Sequence, residues 1–185
     1  MHKLSVTLSV KPAEQNNNLD SIDDLNTMPA ADKRPYFSPA SIAISLIVEN
    51  RNWKGLATDI DLNVIGIAQK NHKKIFLNSN LNFYCGNWWE PLKHYAGKIN
   101  LAISNPPYIP KKVYERLPSS VKDFEPKKAL YGGEDGLYHI KQIVSDAPKF
   151  LKKGGWLILE NHFDQTKKIK NLLRAYGFDS LKTIN

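Results

Sequence analysis

A single cysteine, Cys85, stands in a chain of 185 residues, and that scarcity excludes an internal disulfide and any cysteine-based metal cage. Cys85 closes the run Leu81-Asn82-Phe83-Tyr84 and reads as a buried strand residue rather than a nucleophile. His2, His72, His94, His139 and His162 are scattered without metal-ligand spacing and read as structural or surface residues, so no metal site is expected. No apolar run approaches the roughly 18 residues of a membrane span. The opening Met1-His2-Lys3-Leu4-Ser5-Val6 alternates and lacks the apolar block of a signal peptide, which makes a cytoplasmic location the default. Arginine is also scarce, at four of the 26 basic residues. The net charge of +8 admits an acidic partner. Specific phosphate and base contacts, however, lean on the planar arginine fork. The lysines come mostly as separated pairs and read as a solvated face, so direct nucleic-acid binding is not expected.

With 42% apolar and 24% charged residues, the chain suits one globular domain with a substantial core. Residues 1–37 read as an atypical or flexible N-terminal segment: Leu4 to Val10 alternates like a strand, and a polar, proline-punctuated stretch follows. From Ser38 the pattern sharpens. Ser38-Pro39 caps a helix that runs to about Asn50. A strand from Trp53 ends at Asp59, and a helix follows from Asp61 to His72. Strands are predicted at Leu81 to Cys85 and Ile99 to Ser104, then an irregular stretch from Pro106 to Gly133. Glu134-Asp135 open a helix that reaches Phe150 through Leu137, Ile140, Ile143, Val144 and Ala147. Gly154-Gly155 turn into a strand from Trp156 to Glu160, followed by a helix from Gln165 to Tyr176 and a terminal strand from Phe178. Such alternation predicts a largely parallel α/β sheet with covered faces. Ligands of such sheets bind beyond the carboxyl ends of the strands, where Asp59, Gly86-Asn87-Trp88, Asn105 and Glu160 all fall.

The run Ser104-Asn105-Pro106-Pro107-Tyr108-Ile109-Pro110 leaves an apolar strand at such an end. It suits the grip of a planar, conjugated –NH2 group, whose delocalised lone pair makes it a poor nucleophile in need of orientation. The Asn105 side-chain oxygen and the Pro106 carbonyl can accept its two hydrogens. Pro106 and Pro107 stiffen the loop and remove competing donors, and Tyr108 offers a flat face. The plainer alternative is a Pro-Pro turn that ends a strand. Asp59 is placed to accept hydrogen bonds from ribose hydroxyls, or to cap the following helix, a role for which Asp61 competes. Asn87 could bond an adenine edge and Trp88 pack on its face; alternatively, Trp88 or Trp89 covers the sheet end.

Together these residues make the chain resemble the class I methyltransferases that use S-adenosylmethionine. More narrowly, it resembles the release-factor glutamine methyltransferases of the HemK/PrmC type. The likeness takes in Ala57-Thr58-Asp59-Ile60, Ile67-Ala68-Gln69-Lys70-Asn71, Asn87-Trp88 and the Asn-Pro-Pro-Tyr loop. It continues through Phe124-Glu125-Pro126, Ala129-Leu130, Gly132-Gly133-Glu134-Asp135-Gly136-Leu137, Gly154-Gly155, Leu159-Glu160 and Gln165. The resemblance implies a Rossmann-like sheet, and a methyl transfer to the glutamine of the Gly-Gly-Gln tip of class 1 release factors. It implies that Asn105, Pro106, Pro107 and Tyr108 hold that glutamine, with Asn105, Pro106 and Tyr108 closest to the chemistry. Asp59, Asn87, Trp88 and Asn105 would contact the methyl donor.

The chain departs from the family in three places. Arg34-Pro35-Tyr36-Phe37-Ser38-Pro39 stands where the glycine-rich loop belongs, as though a truncation or frame change joined unrelated residues. The N-terminal helical domain is absent or replaced, and the chain ends near the sixth strand. Residues 38–185 are therefore expected to form a partial catalytic domain, incomplete at the first and last strands of its sheet. The alternatives to release-factor methylation are a ribosomal-protein glutamine methyltransferase, a nucleic-acid adenine methyltransferase, and an inactive remnant. Ile109-Pro110 after Tyr108, where adenine methyltransferases commonly place an aromatic residue, favours a protein acceptor.

Overall fold

The computed structural model describes residues 5–9, 40–75, 80–123 and 125–183. The Ser38-Pro39 cap, the Arg34 to Pro39 segment and Phe124 lie outside the described residues. Five strands form one sheet: β1 (Ser5–Ser9), β2 (Lys54–Asp59), β3 (Leu81–Cys85), β4 (Ile99–Ser104) and β5 (Leu151–Leu159), in the spatial order β3-β2-β1-β4-β5. The described helices are α1 (Ala40–Glu49), α2 (Leu62–Ile75), the single-turn pieces α3 (Lys111–Glu115), α4 (Ser119–Lys122) and α5 (Lys127–Leu130), then α6 (Tyr138–Phe150) and α7 (Thr166–Ala175).

Alternation along β2 sends neighbouring side chains to opposite faces. Ala57 joins Ala43, Ile44 and Ile47 of α1 and Ile65 and Ala68 of α2 on one face. Leu56 faces the other way, among Trp89, Ala102 and the α6 residues Ile143, Ala147 and Phe150. The α6 stripe Ile140, Ile143, Val144, Ala147 and Phe150 is buried along its whole length, at the spacing of one helical face. Each large aliphatic side chain so buried contributes roughly 1.5–3 kcal/mol. Helices pack on both faces of the sheet in a mixed α/β, Rossmann-like arrangement, while Trp156 and Ile158 of β5 stay exposed.

β2 runs parallel to β3, and β4 runs parallel to β5. The alternating segment Ser5–Ser9 fills the central slot, but antiparallel to both neighbours: Ser5 pairs with Thr58 and Ser104, and Ser9 with Lys54. Part of the 1–37 segment therefore lies inside the sheet. Its Ser5 end, rather than a strand-to-helix turn, sits between the carboxyl ends of β2 and β4.

Several predicted boundaries shift. Glu134 and Asp135 precede α6 instead of opening it, and Asp135 Oδ1 accepts the Leu137 N–H at 3.0 Å. Gly154 and Gly155 lie within the span of β5, where its register with β4 is irregular. The irregular stretch after Pro106 contains α3, α4 and α5. Cys85 lies on its predicted strand but is exposed, its thiol 3.7 Å from the Ile60 carbonyl. Phe178 opens no strand. The Gly177 N–H bonds the Arg174 carbonyl at 3.0 Å and the Phe178 N–H bonds the Leu173 carbonyl at 3.0 Å. That pairing is a Schellman cap on α7, and it commits Phe178 to the core beside Leu173 instead of to a ladder. No helix among the described residues is long and apolar enough to cross a membrane.

Because β1 is bonded along both edges, proline within it removes a donor that no solvent can replace. Thr7, opposite Leu56 and Ala102, tests this. Thr7→Pro is expected to lower the unfolding free energy by roughly 1–3 kcal/mol, read as a reduced urea midpoint. An unchanged midpoint would remove β1 from the centre of the sheet.

Candidate active site

The carboxyl ends of β2, β3 and β4 open onto a cleft of about 480 Å³, within the roughly 300–1,000 Å³ usual for small-molecule sites. Asp59, the last residue of β2, is 7% exposed and lines it. Its Oδ1 accepts the Asp61 N–H at 2.7 Å, so this carboxylate orders the turn out of the strand. Asp61 Oδ1 accepts the Asn63 N–H at 3.0 Å and so caps α2. The competition for the cap is thereby decided: Asp61 holds the helix, and both carboxylates line the cleft. The other Asp61 oxygen accepts from Lys128 Nζ at 2.8 Å, which ties α5 to the end of β2 across the mouth of the cleft. Lys128 is held charged above its ordinary range by Asp61 first and Asp59 in addition.

The two tryptophans after β3 take different places. Trp89 is buried, stacks on Phe150 at 4.9 Å, and donates its indole N–H to the Ile143 carbonyl at 3.0 Å. It is core. Trp88 lines the cleft with Asn87, and its ring lies 5.6 Å from that of His139. Its φ of +46° is in the left-handed region, a conformation that costs a non-glycine residue of order 1–3 kcal/mol. Thr58 Oγ1 donates to its carbonyl at 3.1 Å. The Trp88 indole N–H is buried with no acceptor among the described residues.

Beyond β4 the loop turns away from the cleft after one contact. Pro107 lines it, whereas Asn105, Pro106 and Tyr108 do not. Asn105 Oδ1 is sealed from water without a partner among the described residues, and Pro106 is fully buried. Tyr108 packs against the α6–α7 core, donates its hydroxyl to Glu160 Oε1 at 3.1 Å, and receives Gln165 Nε2 on its carbonyl at 2.8 Å. Its hydroxyl is pushed up to about 12 by burial first and by the Glu160 carboxylate next. The following residue is held by Leu130 and Gly132: the Ile109 N–H donates to the Leu130 carbonyl at 3.0 Å, and the Gly132 N–H to the Ile109 carbonyl at 2.9 Å. A Cβ on Gly132 would sit 2.8 Å from the Pro107 carbonyl, so only glycine admits this approach.

Asp59, Asn87, Trp88 and Pro107 thus share one cleft, while Asn105, half-buried two residues before Pro107, does not line it. The sequence reading missed Lys127, Lys128, Tyr131 and His139, which line the cleft together with Ile60, Asp61 and Ala129. The Lys127 ammonium lies 5.0 Å over the Tyr131 ring and 5.7 Å from that of Tyr114. A Lys-Lys pair and a lone histidine carry no positional signal in sequence; only the folded strap from α3 to α5 brings them to the cleft.

Burial lowers the His139 pKa from its ordinary 6.5, and burial lowers that of His72 as well. The folded state therefore favours neutral imidazole at both positions. Their contribution is complete above pH 6.5, the ordinary histidine value, and is lost as pH falls through the depressed folded values. Denaturant unfolding at pH 7.5 and 5.5 is expected to show a stability loss at the lower pH that shrinks in His139→Gln. An equal loss in both proteins would mean His139 is solvated in the folded state.

No family model matches the chain. Among curated proteins, it is 38% identical over 138 residues to the release factor glutamine methyltransferase of Prochlorococcus marinus, covering 75% of this chain and 47% of that protein. The release factor glutamine methyltransferase of Coxiella burnetii is 38% identical over 138 residues, covering 75% of this chain and 48% of that protein. The one from Caulobacter vibrioides is 31% identical over 144 residues, 78% of this chain and 49% of that protein. The chain spans about half the length of the curated relatives it matches. Over those shared residues, the chain is similar to the release factor glutamine methyltransferases.

Proposed function

We propose that this chain carries the core of an S-adenosylmethionine-dependent enzyme that methylates the side-chain amide of the glutamine in the Gly-Gly-Gln motif of class 1 peptide chain release factors. It would act in the cytoplasm beside the translation machinery. The observation that carries the reading is Asn105: a side-chain oxygen buried without a described partner, just after β4 and two residues before Pro107, which lines a cleft shared with the carboxylate of Asp59. Residues 38–185 form the catalytic part, with β1 lent to its sheet from the N-terminal segment.

The cleft suits the nucleoside end of such a donor. Asp59 would take the ribose hydroxyls, Asn87 the adenine edge, and Trp88 the ring face. The donor, when bound, supplies an electrophilic methyl group on a sulfonium. Asn105 Oδ1 and the Pro106 carbonyl would accept the two hydrogens of the acceptor amide and hold its nitrogen toward that methyl. The amide nitrogen would take the methyl as the donor left as its neutral thioether, and would release one proton to solvent. Pro106 and Pro107 offer no N–H to compete.

The opposite wall is where the chain departs from the family. β1 is antiparallel, so no strand-to-helix glycine turn follows it at the cleft end. Among the described residues, that end of β1 supplies no turn whose backbone N–H groups would face the donor. Calorimetric titration of the 185-residue protein with S-adenosylmethionine is expected to give a dissociation constant above about 100 μM. Asp59→Ala should weaken it a further ten- to hundredfold, the worth of a charged hydrogen bond of roughly 1.5–3 kcal/mol. Micromolar affinity would mean that another segment builds the missing wall, and an unchanged Asp59→Ala would confine Asp59 to its turn.

Asn105→Ala is expected to slow single-turnover methyl transfer to a release factor by at least about thirtyfold, since a lost transition-state contact costs more than roughly 2 kcal/mol. Circular dichroism should be unchanged. A rate within about threefold of the parent would remove Asn105 from the chemistry.

A further inference from the structure

We infer that the connection between β5 and α7, residues 160–165, is a clamp that sets the position of the Asn-Pro-Pro-Tyr loop, with Gln165 as its positioning residue. This inference rests on the proposed reading of that loop as the acceptor grip. Proline at 106 and 107 leaves the loop short of backbone donors, so it cannot be tied down by a ladder of its own N–H groups. Its ends must be held from outside.

Three hydrogen bonds from one short segment do so. The Glu160 N–H donates to the Ser104 carbonyl at 2.9 Å, immediately before Asn105. The Glu160 carboxylate accepts the Tyr108 hydroxyl at 3.1 Å, and Gln165 Nε2 donates to the Tyr108 carbonyl at 2.8 Å. Asn105, Pro106 and Pro107 are thereby bracketed at both ends by residues more than 50 positions away in sequence.

Gln165 is built into this role. It is 4% exposed, yet its amide is engaged on both sides: Oε1 accepts the His162 N–H at 3.1 Å, and Nε2 also reaches the Asp135 carbonyl at 3.4 Å. One side chain thus joins the loop, the Gly132–Gly136 turn and the start of α7. The turn is shaped around the same bond. Gly136 has φ +72°, and a Cβ there would collide with both Gln165 Nε2 and the Tyr108 carbonyl. A buried amide satisfied in this way fixes geometry, because any displacement of the loop leaves a polar group unpaired. A shift of about 1 Å in a reacting group can cost a hundredfold in rate.

The test replaces Gln165 with methionine, which keeps the length and removes the donor. Tyr108 is followed by NMR titration of ring-labelled tyrosine, with Tyr108→Phe identifying its signal. The parent hydroxyl should titrate near 12; in Gln165→Met it should move at least about one unit toward the free value near 10. Methyl transfer to a release factor should show kcat lowered roughly ten- to hundredfold with the KM for the donor unchanged. Tyr108 still titrating near 12, with kcat within about threefold, overturns the clamp. Should Gln165→Met not fold, Glu160→Gln at the exposed strand end must by itself speed solvent exchange of the Gln165 side-chain amide, and unchanged exchange overturns the clamp equally. A parent protein that transfers no methyl group counts against the proposed function, while the tyrosine titration still decides the clamp.

Discussion

The two parallel strand pairs of this protein are joined through one strand. In the order β3-β2-β1-β4-β5, β2 and β4 are each bonded to Ser5–Ser9, and neither pairs with the other. With strands roughly 4.8 Å apart, the end of β2 lies about 10 Å from the end of β4. That spacing governs the site. Asp59 at one end and Asn105 at the other are held a single strand apart, and the cleft opens beside them. The shared core depends on the same strand, since α1 and α6 pack on opposite faces of the sheet that β1 completes.

Direction matters as much as occupancy. In a parallel unit, a strand leads through its carboxyl end into a turn and a helix, and the first N–H groups of that turn face the ligand. Here the strand between β2 and β4 presents Ser5, its amino end, at that position. The side of the cleft made by Asp59, Asn87, Trp88 and Pro107 is built from side chains and ordered turns. The facing side has no equivalent supply of backbone donors from β1. The same scarcity recurs in the Asn-Pro-Pro-Tyr loop, where two prolines remove donors. There, the side chains of Gln165 and Glu160 add to the backbone bonds that Ile109 makes with Leu130 and Gly132.

Elements whose signal is local were legible in sequence. The strands Leu81–Cys85 and Ile99–Ser104 match their predicted bounds, because a short apolar run between turn residues admits few other readings. The α6 stripe was legible for the same reason, in helical period. Less was legible where one residue type serves two ends. Phe178 has the look of a strand start, yet Gly177 beside it closes a Schellman cap and sends the ring into the core. Cys85 belongs to an apolar run, but at the last position of an edge strand, where no layer covers it. In the site, Asp59 and Asn87-Trp88 could be placed from their positions after strands. Lys128, His139 and Tyr131 could not, since they reach the cleft through the path of the strap from α3 to α5.

By itself the sequence determined the alternation of strands and helices, the family to which its motifs point, and the residues that stand at the carboxyl ends of the strands. These follow from periodicity and from the chemistry of short runs, which need no knowledge of the rest of the chain. Only the tertiary structure decided the polarity of β1, because a period of two specifies which face a residue takes and says nothing about the direction of the strand. It likewise decided which tryptophan is core and which faces the cleft. It also brought Gln165 and Glu160 onto Tyr108. Hydrogen bonds between residues more than 50 positions apart form only when packing has already brought their elements together.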